Sequence, residues 1–571
     1  MQRQFGTAAT MKDRGDAVVQ HSTTLDAEKV NATADSAPGT DSQSIDDLDG
    51  PNSRHHVFSD PIAAEHWRSI YEKAGYENRH RFDPEFTWSA EDERKLVRKV
   101  DLRIMLWAWI MFCALDMHRR NINRAISDNM LEELGKFHAT SSMNTNDFNY
   151  GQTIFLVSFL SAELPSGLIS KKLGADRWIP SIIIGWSIVA GSQTFLTNRA
   201  GFYAIKALLG LLMGGFIPDI VLYLTYFYKS NELPTRLAWF WTALSTVNVV
   251  GSLLAAGVLQ MRGINGWSGW QWLFLLEGII TLIVGLFSFG LMPPGPCQTK
   301  NWFRGSKGWF DEREEKILVN RLLRDDPSKG DMNNRQAVGL KLLWKAVQDW
   351  EQWPLYLVGL TTYIPPSPPQ NYLSLILRQL GFSVFQANLL VIPSQVMFAL
   401  NLLFVTWVSK RLQERAIVSS FANIWIFPWM LALVVLPASA SPWVRYGILT
   451  ALLSYPYCHA ILVAWNAKNS NAVRTRAVSA ALYNMFVQSG NIIASNIYRD
   501  DDKPLYKRGN SVLLGITCFN IVLMYLVKAF YIWRNRVRDR KWNALTPEEQ
   551  EQYLINTKDE GQQRLDFRFA H

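Results

Sequence analysis

The chain has 571 residues, with 58 Lys+Arg against 49 Asp+Glu for a net charge of +9, 19% charged residues and a mean hydropathy of −0.02. Those averages hide two populations, because polar ends flank repeated apolar runs of about 20 residues, the length needed to cross the hydrocarbon of a bilayer. Such segmentation excludes a wholly disordered chain, a collagenous one and an ordinary soluble enzyme, and it predicts an all-α polytopic membrane protein.

Residues 1–100 are rich in Asp, Ser, Thr and Ala over most of their length and are expected to form a disordered cytosolic tail, too polar to offset chain entropy by burial. No basic start with an apolar core follows Met1, so the first spanning helix is expected to act as the targeting signal. Asn31-Ala32-Thr33 matches a glycosylation sequon, which a cytosolic tail makes a chance match.

Apolar runs begin near Leu102, Gly151, Trp178, Gly201, Arg236, Gln271, Pro354, Phe385, Ile417, Trp443, Arg476 and Ser511. They predict twelve transmembrane helices, six within 101–292 and six within 353–534, joined by a cytosolic loop over 293–352 and followed by a cytosolic tail over 535–571. Basic residues concentrate in the even-numbered connections, as with Lys171, Lys172 and Arg177, or Lys410, Arg411 and Arg415, which places both termini in the cytosol. The last odd connection departs from this pattern with Arg499, Lys503, Lys507 and Arg508, beside Asp500, Asp501 and Asp502.

In the central loop, Asp311-Glu312-Arg313-Glu314-Glu315 precedes Ile317, Leu318, Leu322 and Leu323, an acidic start and an apolar face suited to a helix. A second face runs through Leu343, Val347 and Trp350, and both are expected either to brace the two halves or to lie on the membrane. Ser170-Lys171-Lys172-Leu173 recurs six helices later as Ser409-Lys410-Arg411-Leu412, an echo consistent with a duplicated six-helix unit.

The four cysteines, Cys113, Cys297, Cys458 and Cys518, show no paired spacing, so neither a disulfide framework nor a metal site is indicated and no cofactor is expected. The positive balance is nowhere interleaved with aromatics in a soluble domain, which argues against nucleic acid.

Gly167-Leu168-Ile169-Ser170-Lys171-Lys172-Leu173-Gly174-Ala175-Asp176-Arg177 resembles the loop signature of the major facilitator superfamily. Further blocks resemble its fungal anion:cation symporter family, the group of allantoate and pantothenate permeases: Leu115 through Ile122, Phe216-Ile217-Pro218-Asp219, Glu232 through Arg236, Trp272 through Gly278, and Pro365 through Leu377. The resemblance covers residues 95–540. It implies gate roles for Asp176 and Arg177, and substrate contact by Arg119 and Asn121, with Lys206 at the position of the family's helix 4 arginine. His118 stands where the family has an aspartate, so proton chemistry there changes from a carboxylate near ~4 to an imidazole near ~6.5.

Ionisable groups at membrane depth cost roughly 2.5–3.5 kcal/mol each on insertion scales, which makes them functional candidates. Asp116 can pair with Arg119 or Arg120, at i+3 and i+4. Glu163 and Asp219 lie next to Pro165 and Pro218, where the helices are expected to break. Glu163, ahead of Asp116 and Asp219, is the expected carrier of the coupled proton, and His118 the remaining candidate. Glu277 is expected near the interface and His459 in packing. Asn484, Gln488 and Asn491 form a polar stripe that is either cavity lining, which would make Asn484 and Gln488 substrate contacts, or interhelix glue.

Pro365, Pro366, Pro368 and Pro369 must break helix 7. No nucleotide-binding loop or catalytic constellation stands out. The expectation is therefore a monomeric proton-coupled carrier of a small organic anion (vitamin, ureide or sulfonate) in the plasma membrane, with a nutrient sensor or an uncoupled facilitator as the alternatives.

Overall fold

A computed structural model describes residues 57–136, 143–229, 232–331, 344, 347–412, 414–470, 473–557 and 564–571. The sequon, the other residues before 57 and Leu343 lie outside them, as do the side chains of Lys171 and Lys345.

The described chain is almost entirely helical. Helix α1 (Pro61–Lys73) precedes α2 (Ala90–Val100), which runs through a π-helical turn into α3 (Leu106–Ala125) and is followed by α4 (Met130–Lys136). The first half continues with α5 (Thr145–Leu173), α6 (Ala175–Ser192), α7 (Arg199–Met213), α8 (Phe216–Thr225), α9 (Leu233–Trp241), α10 (Ala243–Val258) and α11 (Gly269–Leu291). Helices α12 (Glu312–Asp325) and α13 (Ser328–Asp331) belong to the central loop. The second half comprises α14 (Trp353–Thr362), α15 (Ser367–Gln379), α16 (Val384–Leu389), α17 (Ile392–Leu412), α18 (Ala416–Val435), α19 (Pro442–Leu453), α20 (His459–Asn469), α21 (Val473–Ser495) and α22 (Lys507–Trp542), with α23 (Pro547–Asn556) beyond it.

Local chemistry sets many of these boundaries. Asn144 and Asp147 form a capping box at the start of α5, Ser268 and Gln271 another at α11, and Asp311 and Glu314 a third at α12, where the acidic run predicts a helix start. The prolines break helix 7 as expected: α14 stops at Thr362, and Pro368 and Pro369 occupy the first turn of α15, where a missing N–H costs nothing. The break expected at Pro165 does not occur, since α5 continues through it. The fourth run breaks at Gly214-Gly215, ahead of Pro218. Those glycines serve close packing, because a Cβ on Gly214 would strike the Phe159 backbone of α5 and one on Gly215 the Ser166 side chain.

Among the described residues, seven helical stretches are long and apolar enough to cross a membrane, among them Arg199–Thr225, Gly269–Leu291 and Lys507–Trp542. Helix α3 misses that criterion because it carries Asp116, Arg119, Arg120 and Arg124. Large apolar side chains such as Leu286, Phe404, Trp407 and Leu526 face outward, the inverse of a water-soluble surface. The two halves meet along α5 with α21 and along α10 with α16 and α17.

The tail expected to be disordered over 1–100 is folded from 57 onward. Arg81 pairs with Glu312 and, at 2.9 Å, with Glu315, while Lys99 pairs with Glu314 at 2.6 Å. Arg321 of α12 pairs with Glu232 at the start of α9. Among the described residues, the ion pairs of the central helix thus brace the first half. Trp350 instead packs on Phe530 of α22, with ring centroids 5.9 Å apart.

Candidate functional site

Helix α3 buries Asp116, His118, Asn121 and Arg124 inside the first half. Asp116 resolves its two options in favour of Arg120, at 2.6 Å. The Arg119 guanidinium consequently has no ion pair among the described residues and lies 5.3 Å from the centre of the Phe159 ring on α5. Tyr457 of the second half stands within electrostatic range of it, so Arg119 sits where the halves meet.

His118 turns the other way. Its Nε2 lies 2.6 Å from Thr281 Oγ1 on α11, and its Nδ1 lies 3.4 Å from the Asn121 amide. Thr281 can donate its proton to the Glu277 carbonyl at 3.0 Å, so its oxygen accepts from Nε2–H while Nδ1 accepts from Asn121. Both ring nitrogens are then satisfied with a neutral imidazole. Asn121, fully buried, supports His118. Lys206 on α7 is 3% exposed, with its ammonium 5.6 Å from the Phe202 ring centre and no anionic partner among the described residues.

Glu163 and Asn484 come together across the halves, the Asn484 amide donating to Glu163 Oε1 at 3.2 Å. Glu163 Oε2 is buried without a hydrogen-bond partner among the described residues. Gln488 accepts from Asn491 at 3.1 Å within the polar stripe. Asp219 is held inside the first half, accepting from Ser166 at 3.0 Å, and Ser166 accepts from Trp178 at 2.8 Å. Asp176 and Arg177 open α6; Asp176 is in electrostatic range of Arg304, and Arg177 is exposed. The expected residues therefore form three groups: Arg119 and Glu163 at the seam, His118 and Asn121 behind it, and Asp176 and Arg177 at one end.

Two further ionisable residues are buried beside these, and the sequence reading singles out the first but not the second. Glu277, expected near the interface, is 0% exposed, and neither of its oxygens has a hydrogen-bond partner among the described residues. Arg124 is its charged neighbour and reaches the Val247 and Asn248 carbonyls of α10 at 3.3 and 3.5 Å. Gly251 creates the space for that reach, since a Cβ there would lie 2.6 Å from the guanidinium nitrogens. The signal for Arg124 is the spacing of Asp116, Arg120 and Arg124 at four-residue intervals, one stripe of a helix.

The halves are sealed at one end. Asn149 donates to the Tyr498 carbonyl at 2.6 Å and accepts from Tyr372, and Asp500 accepts from the Thr145 amide at 3.2 Å; midway along the stretch Thr235–Met261, Asn248 donates across the halves to Gln395 at 2.9 Å. At the opposite end the ion pairs shown each stay within one half: Arg236 with Asp101 at 2.7 Å, Lys229 with Glu93 at 2.6 Å, and Glu351 with Arg538 at 2.8 Å.

Two helical halves with an apolar exterior, charged groups at their seam and a seal at one end are the anatomy of a membrane carrier. The Major Facilitator Superfamily profile matches residues 108–495, and the chain belongs to that superfamily. It is 49% identical over 524 residues to the uncharacterized transporter YIL166C of Saccharomyces cerevisiae, covering 92% of this chain and 95% of that one. It is 27% identical over 448 residues to the MFS-type transporter efuF of Hormonema carpetanum, covering 78% and 86% of the two chains. Among solved structures it resembles the proton:xylose symporter XylE bound to 6-bromo-6-deoxy-D-glucose, with a TM-score of 0.56, 14% identity, and 75% and 95% coverage. The protein is a transporter, not an enzyme.

Proposed function

We propose that the chain is a proton-coupled carrier of a small organic anion that works by alternating access, its twelve helical units crossing the plasma membrane six and six with both termini in the cytosol. The single observation that carries this reading is Arg119: a guanidinium at the junction of the halves, close to Phe159 and without a carboxylate partner among the described residues. Burying such a charge is costly, and an anionic substrate offsets that cost bidentately on entering. Lys206 supplies a second positive charge on the first-half side.

With the basic loops in the cytosol, the sealed end is extracellular, and this conformation opens inward. The loop ending at Asp176 and Arg177 then lies at the mouth, suited to closing it in the opposite state. Coupling is assigned to Glu163, which bonds across the seam and retains one oxygen without a partner among the described residues. An uncoupled facilitator is the second reading, favoured by one observation: both nitrogens of His118 are engaged as a neutral ring needs.

Uptake into cells expressing the chain, measured with labelled vitamins, ureides and sulfonates at acidic and neutral external pH, tests both readings. Saturable uptake of an anion that rises with external acidity supports coupling, and pH-independent equilibration supports the facilitator. No uptake of any anion removes the proposal.

A further inference from the structure

The connection that follows α11 is stapled to the helix and yet presents an aromatic tip. Arg304 donates to the Thr299 carbonyl and to the Gly290 carbonyl in the last turn of α11, both at 2.8 Å, and Thr299 Oγ1 accepts from the Trp309 amide at 3.0 Å. Asn301 and Gly305 pair across the turn. These bonds hold the loop in one place, so the exposure of its side chains is built into the fold. Trp302 is 94% exposed at its tip and Phe303 46%.

That exposure is continuous with a lipid-facing surface. Phe303 packs edge-on against Phe287 at 5.9 Å, and Phe287 belongs with Ile283, Leu286 and Phe289 to the outward apolar face of a membrane-crossing helix. Lys300 and Lys307 are exposed on either side of the tip, and Arg103 lies 5.3 Å from the neighbouring Trp309 ring. An exposed indole is amphipathic and is placed most favourably at the boundary between acyl chains and headgroups, where flanking lysines reach phosphates.

We propose that residues 300–307 form an anchor for anionic phospholipid: Trp302 and Phe303 insert at the headgroup boundary of the adjacent leaflet, and Lys300 and Lys307 bind its phosphate and carboxylate groups. Charge complementarity selects an anionic lipid over a protein partner, since each lysine near such a surface is worth roughly fivefold in association. The inference rests on membrane insertion of α11 and not on the identity of the substrate.

The test is a bimane label on Trp302→Cys, in a chain whose four native cysteines are replaced by alanine, reconstituted in nanodiscs of phosphatidylcholine with or without phosphatidylserine. Shallow doxyl-labelled lipid should quench the label, more strongly with phosphatidylserine present, and aqueous iodide should not. Adding Lys300→Gln and Lys307→Gln should abolish the phosphatidylserine effect while leaving thermal stability unchanged, since both side chains are exposed. Quenching by iodide alone would overturn the anchor. A phosphatidylserine effect that survives both substitutions would overturn the headgroup assignment.

Discussion

Glu163 of α5 and Asn484 of α21 are hydrogen-bonded at 3.2 Å, 321 residues apart, joining the two halves where the polar stripe of α21 faces the first bundle. An amide donor opposite a carboxyl can hold either protonation state, ionised as an acceptor only or neutral with an O–H of its own. Glu163→Gln should therefore abolish accumulation against a gradient while leaving anion exchange, because the amide resembles the protonated state and cannot release a proton. Full accumulation by the variant would move coupling to Asp116 or Asp219.

Arg119→Lys keeps the charge and loses the planar fork. A hydrogen bond to a charged group is worth about 1.5–3 kcal/mol, so apparent affinity for the anion should fall by about tenfold or more with surface expression maintained. Binding measured in purified protein checks this directly, and an unchanged affinity would take Arg119 out of the site.

The fit of Arg124 against Gly251 makes a stability prediction. Gly251→Ala places a methyl group 2.6 Å from the guanidinium nitrogens and should drive Arg124 off the α10 carbonyls, at a cost of about 1–3 kcal/mol. Arg124→Gln should then add little to that loss, a non-additivity that thermal melting of the single and double variants reads.

Outside the membrane, burial and then the neighbouring Glu351 carboxylate push Asp349 up to about 6. Its folded form holds a proton more tightly than the unfolded chain does, so its contribution favours folding at low pH and is lost as pH rises through about 6. Asp349→Asn should stabilise the protein by roughly 1–2 kcal/mol near pH ~8, discounted for partial exposure, and hardly at all near pH ~4. Equal shifts in melting temperature at both extremes would contradict this.

What could be read in the sequence was local. Prolines 365, 366, 368 and 369 mark the break between α14 and α15, and Asp311 with Glu314 marks the start of α12, because caps and ring constraints act within a few residues. The repeat at Ser170 and Ser409 falls at the ends of α5 and α17. Contacts over long separations are not legible in the same way: nothing near Arg81 announces Glu315, 234 residues away, and the folded part of the tail depends on that contact. Spacing alone offered Asp116 two arginines, and packing in the assembled bundle made the choice of Arg120. The burial of Glu277 is not legible either, because it depends on which face of α11 meets α3.

The clasps at the sealed end's opposite pole are self-contained. Arg81, Lys99 and Arg321 tie the leading segment and α12 to the first half, while Glu351 holds Arg534 and Arg538, and Ala570 donates to Asn469 at 2.8 Å, all within the second. Cutting the polypeptide between Asp331 and Trp344 would leave each fragment with its own clasp intact. Two co-expressed pieces would then keep every one of these named bonds and could meet again along the seam through Glu163, Asn149 and Asn248, so a carrier of this design tolerates division into its two halves.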